Sequence, residues 1–298
     1  MNPKLLPVCL VFVFQFRLFA EATANDGVIL WSTVSPGGTY ALARPKTDST
    51  SSGSDRAAAT NKPATELSIV NIQTKQPVLD FSGFKATDFA PFDPVDASST
   101  HSFCAWAPQE DHLLVVNALD PLACLQVDLL DGRVSKVGST LVAAATRIAS
   151  GPTTRKTSNS AQPAHLSITD AHFISSRECY VTANMDSGSG SDARRVDLCF
   201  QVNAGSLVFE RAEPYPNPNQ PLGASILTSR QVERLYQTLR GVLNEEDRRL
   251  LTMQQQSWLG VSRPEWFVNY EDRVAFDQMR IAELRQKLQE AIQKKTAE

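Results

Sequence analysis

The chain has 298 residues, of which 42% are hydrophobic and 20% are charged, and its 29 basic and 32 acidic residues give a net charge of −3. This length permits two modest domains. Because the chain carries no concentrated basic patch, its composition argues against nucleic acid as a partner.

The N-terminus has the features of a secretory signal peptide. Lys4 precedes an apolar run from Leu5 to Phe14, and Ala22-Thr23-Ala24 offers small residues for cleavage. The run is too short for a convincing membrane span, and no later segment is apolar enough to be one. We therefore expect removal of residues 1–24 and a periplasmic or secreted protein that does not span a membrane.

Residues 25–212 are predicted to form a β-rich domain of three antiparallel meander units. Short apolar and β-branched runs are separated by turn signals such as Asp131-Gly132 and Ala204-Gly205. The units cover Val28–Phe81, Ser102–Val137 and Glu178–Glu210. Their pattern resembles propeller blades, but a closed propeller needs at least four blades. The sequence thus predicts a sandwich or an open, propeller-like stack of sheets.

Three polar or proline-rich stretches are predicted to be loops and linkers. Thr47–Lys62 is interpreted as an insertion in a hairpin, and Ser150–Pro163 separates the second and third units. Residues 213–224 contain four prolines and form the predicted domain boundary. Prolines at this density favour an extended connection. The β-rich domain is therefore expected to survive loss of the C-terminal part.

The cysteines beyond the signal peptide form two pairs with equal spacing. Cys104 and Cys124 lie 20 positions apart, as do Cys179 and Cys199. In an exported protein this repetition favours one disulfide in each pair, although four cysteines allow three connectivities. The alternative is that all four are buried, reduced thiols. The spacing argues against zinc, because it lacks the short Cys-x-x-Cys motif.

No pattern in the sequence predicts catalysis, a cofactor or a metal site. Asp186 and Asp192 flank a Ser/Gly loop, but two carboxylates are too few for calcium, and a flexible hairpin loop is favoured. His165, Asp170 and His172 are close in sequence, but no catalytic motif surrounds them. The chain is therefore predicted not to be an enzyme.

Residues 225–298 are predicted to form a C-terminal domain of three helices. The first is expected to begin at Thr228, with Gln231 completing a capping box, and to end near Leu243. Asn244 is expected to cap the second helix, and the third is expected from about Glu271 to Lys295. The predicted fold class is thus α+β with two domains: an antiparallel β-meander domain followed by the three helices.

Part of this helical region resembles the LprI-like lysozyme-inhibitor family. The runs Glu233–Leu239 and Leu250–Leu259 are similar to the family's Leu-Asn-x-x-Tyr-x-x-Leu and Leu-x-x-x-Gln-x-x-Trp-Leu segments. Tyr236, Gln255 and Trp258 match the motif positions. Arg263 lies one residue later than the family's arginine, Val232-Glu233 replaces Leu-Asn, and the flanking cysteines of such domains are missing.

The resemblance implies an exported binding protein with a protein partner, a lysozyme being the candidate. Tyr236, Gln255, Trp258 and Arg263 would then contact that partner. For Gln255 and Trp258 we favour a structural role over a partner contact, and we expect Trp258 at the packing centre against Leu235, Leu239 and the Ile281–Leu288 row. The alternative function is a β-module scaffold or interaction protein of the cell envelope without inhibitory activity. A hydrolase without recognisable motifs is a weaker third alternative.

Overall fold

The computed structural model describes residues 27–44, 66–85, 102–117, 120–149, 165–186, 194–261, 267 and 269–298. The predicted signal peptide, the insertion at 47–62, the segment 150–163 and Arg263 lie outside these residues. The same is true of the loop between Asp186 and Asp192.

The described strands form three four-stranded antiparallel sheets, and in each sheet the strands pair in chain order. The first sheet contains β1 (Val28–Ile29), β2 (Tyr40–Arg44), β3 (Glu66–Asn71) and β4 (Pro77–Lys85). The second contains β5 (Phe103–Trp106), β6 (His112–Val116), β7 (Leu125–Asp128) and β8 (Arg133–Lys136). The third contains β9 (His165–Ser175), β10 (Glu178–Asp186), β11 (Arg194–Asn203) and β12 (Ser206–Pro214).

This architecture confirms the prediction of antiparallel sheets before a helical C-terminal region. Gly132 and Gly205 occupy two of the predicted turns with φ of 61° and 74°, a conformation that glycine adopts without steric cost. Strand β9 was not predicted, because it lies between the predicted linker, which ends at Pro163, and the predicted third unit, which begins at Glu178.

A helix that the sequence analysis did not predict follows the second sheet. Helix α1 covers Gly138–Ala149. Its residues Leu141, Ala144 and Ala145 are buried in a hydrophobic cluster with side chains of the second and third sheets. Their spacing of three and four positions is that of an amphipathic helix, so the signal was present in the sequence.

Helices α2 (Pro221–Val242), α3 (Glu245–Val261) and α4 (Tyr270–Ala297) form the C-terminal region. The prediction that the first of them begins at Thr228 is wrong. Helix α2 begins at Pro221, where the fixed φ of proline suits the first helical position. The Thr228 hydroxyl donates instead to the Asp277 carboxylate on α4, at 2.8 Å.

Helix-capping residues at the starts of α3 and α4 agree with ordinary capping chemistry. The Asn244 side chain accepts a hydrogen bond from the Asp247 backbone N–H at 2.9 Å, which confirms Asn244 as the predicted cap of α3. Asn269 accepts in the same way from the Asp272 N–H at 2.8 Å. The segment between β12 and α2 is shorter than the predicted linker, because Pro214 belongs to the strand and Pro221 to the helix.

The three sheets and the C-terminal helices are arranged in a ring. Leu42 and Phe81 of the first sheet share a hydrophobic cluster with Leu113 and Leu125 of the second. The second and third sheets share the cluster that contains α1. The C-terminal helices then pack on the first sheet through a cluster containing Ala41.

Polar contacts between α2 and the third sheet complete the ring. Arg230 and Arg234 on α2 form ion pairs with Asp197 and Asp170 of that sheet, each at 2.8 Å. The helices therefore take the place that a fourth sheet would occupy in a closed propeller. The predicted split into a β-rich domain and a separate helical domain is not confirmed, because the helices share their hydrophobic cluster with the first sheet.

Gly241 lies where α2 approaches the first sheet most closely. A Cβ atom at this position would lie 2.3 Å from the Ser35 carbonyl oxygen and 2.9 Å from Val34 Cγ1. Both distances are shorter than van der Waals contact, so only glycine allows this approach.

Candidate functional site

A cavity of about 550 Å³ lies at the centre of the ring. The segment between β1 and β2, strands β5 and β9, and one side of α2 all contribute to its lining. Because the second and third sheets present their first strands to the cavity, the site is built like the central channel of a propeller. A cavity of this size suits a small ligand.

The apolar wall of the cavity is fixed by Trp106. Its indole N–H donates to the Thr33 carbonyl at 2.8 Å, so the ring is tied to the first sheet. The ring also stacks on Tyr40, with centroids 6.3 Å apart. Val34 and Phe173 add further apolar lining. The cavity thus offers a rigid aromatic surface beside its charged groups.

A polar stripe on α2 forms another part of the lining. Arg230, Arg234, Gln237 and Arg240 are spaced by three or four positions and all line the cavity. Arg230 and Arg234 have the carboxylate partners described above. Asp197 is 1% exposed and also accepts a hydrogen bond from the Thr182 hydroxyl at 2.7 Å. These contacts hold α2 in place and orient the stripe.

Several buried polar atoms of the cavity lining have no hydrogen-bond partner in the described part of the chain. These atoms are His172 Nδ1, Arg234 Nε, Gln237 Oε1 and Arg240 Nε. An unsatisfied buried polar group costs about 1–3 kcal/mol. All four atoms belong to residues that line the cavity, although the atoms themselves are buried in its wall.

His172 is held in its neutral form. Burial lowers the pKa of this imidazole, and the nearby Arg230 and Arg234 guanidinium groups lower it further. Asp170 and Asp197 act in the opposite direction but are outweighed. The ring stacks on Tyr180 with centroids 5.4 Å apart. His172 therefore offers the cavity a neutral hydrogen-bonding group rather than a charge.

A second, more polar cleft of about 880 Å³ lies between the second and third sheets. It contains Ser176, His112 and three aspartates, residue types found in catalytic triads. The Ser176 hydroxyl, however, donates to Asp111 at 2.8 Å and also to Gln109. A nucleophilic serine would instead be hydrogen-bonded to the histidine that activates it. This arrangement therefore lacks a paired nucleophile and base.

Glu178, Cys199 and Glu210 form a cluster whose candidate metal-ligand atoms lie within 4.8 Å of one another. Arg211 already occupies both carboxylates through ion pairs with Glu178 at 3.1 Å and Glu210 at 2.9 Å. Burial raises the pKa of the Cys199 thiol to about 12, so sulfur is protonated and donates to Glu178. A metal ion would have to replace Arg211 and deprotonate the thiol. The cluster is better described as a charge network.

The prediction of two disulfides is wrong. Cys104, Cys124, Cys179 and Cys199 are all free thiols. Within each pair the side chains lie on opposite faces of their sheet. Cys179 pairs with Phe200 and Cys199 with Tyr180, so the two cysteines are one residue out of register and point to opposite sides. Cys124 is buried between the second and third sheets, whereas Cys104 packs between the first and second.

The residues matched by the family resemblance lie among the helices and do not line the cavity. Gln255 is 3% exposed, and its Oε1 accepts from Arg280 Nε at 3.2 Å and Nη2 at 2.9 Å. Tyr236 is buried, and its hydroxyl donates to the Thr252 hydroxyl at 3.4 Å. Trp258 is half-buried and stacks on Phe276 with centroids 5.7 Å apart. It packs at the edge of the helical cluster, whose centre is formed by Leu239, Leu284 and Leu288.

Sequence reasoning did not find the residues of the central cavity. Asp170 and His172 were noticed as neighbours, but their partners on α2 lie about 60 positions later in the chain. The spacing of Arg230, Arg234 and Gln237 is a usable signal for one side of a helix. It does not reveal that this side faces a cavity.

Comparison with known proteins finds neither a protein-family model nor a curated protein that matches this chain. No helix in the described residues is both long and apolar enough to cross a bilayer.

Proposed function

We propose that the protein is an exported, non-enzymatic binding protein and that its ligand occupies the central cavity. The observation that carries this proposal is the cavity of about 550 Å³, which is lined both by Trp106 and by the polar stripe of α2. An apolar surface together with a few polar groups is typical of small-molecule sites. Export rests on the sequence features of residues 1–24.

The state of the candidate nucleophiles supports binding without catalysis. Ser176 donates to a carboxylate and not to a base. Burial raises the pKa of Cys124 and Cys179 to about 12 and also raises that of Cys104, so these thiols are protonated at neutral pH. A protonated thiol is a poor nucleophile.

A matched pair of threonine variants tests the cavity. Thr238 lines the cavity on α2, and its hydroxyl donates to the Arg234 carbonyl at 2.9 Å. Thr296 is exposed on α4 and donates to the Ile292 carbonyl at 2.8 Å. Thr238→Tyr fills the cavity, whereas Thr296→Tyr makes the same change at the surface.

We expect a pool of small aromatic acids and amides to bind the unmodified protein and the Thr296→Tyr variant in ligand-observed NMR. Binding should be lost in Thr238→Tyr because the added ring occupies the cavity. Equal binding by both variants would place the ligand elsewhere and contradict the proposal.

Lysozyme inhibition is a narrower proposal that rests on the family resemblance. Because Tyr236 and Gln255 are buried, an inhibitory surface would have to use other residues of the helical region. The test is the rate of cell-wall lysis by a lysozyme with the protein in molar excess. An unchanged rate would favour the alternative, an envelope interaction or scaffold protein without inhibitory activity.

A further inference from the structure

Arg240 is a cation of the cavity lining for which the described part of the chain offers no ion-pair partner. Arg230 and Arg234 on the same stripe each contact a carboxylate at 2.8 Å. Arg240 forms no ion pair with the described residues, and its buried Nε has no acceptor there. Its backbone is nevertheless well held, since its carbonyl accepts from Arg248 Nε at 3.0 Å.

The carboxylates around the cavity are already engaged. Asp170 pairs with Arg234. Glu110 accepts a hydrogen bond from the Gly37 backbone N–H, and Glu233 accepts from the Gln237 side-chain amide at 2.6 Å. The donors to Glu110 and Glu233 are neutral, but neither carboxylate forms an ion pair with Arg240. A bound anionic ligand would give Arg240 the partner that it lacks among the described residues.

The lining of the cavity specifies more than charge. The Arg240 guanidinium is a donor group without acceptor capacity, and the oxygens of a carboxylate match it in charge and in hydrogen bonding. The Trp106 wall favours an apolar or aromatic body beside the charged group.

Building on the proposed function, we infer that the central cavity binds a small organic carboxylate. Arg240 binds the carboxylate. The body of the ligand packs on Trp106.

The test compares 4-hydroxybenzoate with 4-hydroxybenzamide by isothermal titration calorimetry on the full chain. The two compounds share their ring and hydroxyl, so they differ mainly in the charge of one group. We expect the acid to bind at least about tenfold more tightly than the amide, since charge-assisted hydrogen bonds are about twice as strong as neutral ones.

The Arg240→Gln variant should weaken binding of the acid by about tenfold or more and leave the amide nearly unaffected. Arg249→Gln is the matched control, because Arg249 is exposed on α3 and its loss changes the net charge equally. This control should keep the affinity of the unmodified protein. The comparison of acid and amide on the unmodified protein does not depend on the folding of any variant.

Equal affinity for acid and amide would overturn the carboxylate inference, and so would an Arg240→Gln variant that binds the acid as tightly as the unmodified protein. Neither result would contradict the proposal that a ligand binds in the cavity. Binding of inorganic phosphate as tightly as the acid would overturn the carboxylate inference too, because the site would then select charge without an organic body. Failure of both aromatic compounds to bind the unmodified protein would overturn the inference together with the proposed function.

Discussion

His172 is a single residue that should make the stability of the folded protein depend on pH. Burial lowers its pKa in the folded protein below the ordinary value of 6.5, so the unfolded chain takes up a proton at a higher pH than the folded chain does. Stability must then fall as the pH drops below about 6.5, with a slope of at most about 1.4 kcal/mol per pH unit for one proton.

The prediction is tested with His172→Gln, which has no titrating ring at this position. Thermal unfolding between pH 7.5 and pH 5 should show the unmodified protein losing stability relative to the variant. Parallel pH profiles for the two proteins would mean that His172 is not held neutral by burial.

Gln255 illustrates how a motif position can be structural. Its side chain supplies the acceptor for two guanidinium nitrogens of Arg280, which is 5% exposed. We expect Gln255→Met to lower the free energy of unfolding by about 1–3 kcal/mol, because buried charged donors lose their acceptor. Gln255→Glu should retain most of the stability, since it keeps an acceptor.

Gln286→Met serves as the control in the same chemical denaturation experiment. Gln286 is exposed on α4 and bonds Glu290 at 2.9 Å, a contact worth about 0.2–0.5 kcal/mol. If Gln255→Met were as stable as this control and lost only a protein partner, Gln255 would belong to a recognition surface.

Residue-scale features differ in how far the sequence predicts them. The cap at Asn244 follows from local chemistry, because its partner lies three positions away. Local chemistry could not decide whether the cysteine pairs form disulfides. Their equal spacing is compatible with a disulfide, but register decides which face of the sheet each side chain occupies.

At the scale of elements, the close approach of α2 to the first sheet predicts opposite effects for two glycines. Gly241→Ala would place a methyl group 2.3 Å from the Ser35 carbonyl oxygen. We expect a loss of about 1–3 kcal/mol from overpacking. This exceeds the gain of about 1 kcal/mol that alanine brings to a helix interior.

Gly260→Ala is the matched substitution near the end of α3. Its added Cβ has no neighbour within 4 Å, so only the helix propensity changes. We expect this variant to be as stable as the unmodified protein or more stable, by up to about 1 kcal/mol. Equal effects at the two positions in thermal unfolding would refute the steric role of Gly241.

Some helices and strands could be predicted from local sequence signals, and others could not. Strands of the second sheet have strong turn signals, and their positions were found. Helix α1 was missed although Leu141, Ala144 and Ala145 have helical spacing, because small alanines give a weaker hydrophobic signal than larger apolar residues. The start of α2 was misplaced because Thr228 and Gln231 imitate a capping box, whereas Pro221 is the residue that begins the helix.

At the scale of the whole molecule, the ring predicts one cooperative unfolding transition. The C-terminal helices and the first sheet share a hydrophobic cluster that includes Val34, Ala41, Leu239 and Leu284. Removing the helices exposes these apolar groups of the first sheet to water. We therefore expect a chain ending at Asn219 to lose cooperative unfolding, contrary to the expectation of an independent β-rich domain.

The measurement follows circular dichroism at helical and sheet wavelengths during heating. In the full chain both signals should change together, and in the shortened chain no sharp transition should remain. Two separate transitions in the full chain, with a stable shortened chain, would restore the two-domain interpretation. The sequence did not predict a single cooperative unit, because the residues whose contacts close the ring lie far apart in the chain.

Ring closure also joins segments that are synthesised far apart in time. Ser35 meets Gly241 more than two hundred positions later, and contacts of such long range form slowly because the connecting chain must first lose its entropy. The hairpins of each sheet can form earlier, while the apolar face around Ala41 stays exposed until the C-terminal helices pack on it. Closure is therefore expected as the last folding event, and a ligand that binds only the closed ring would slow its reopening.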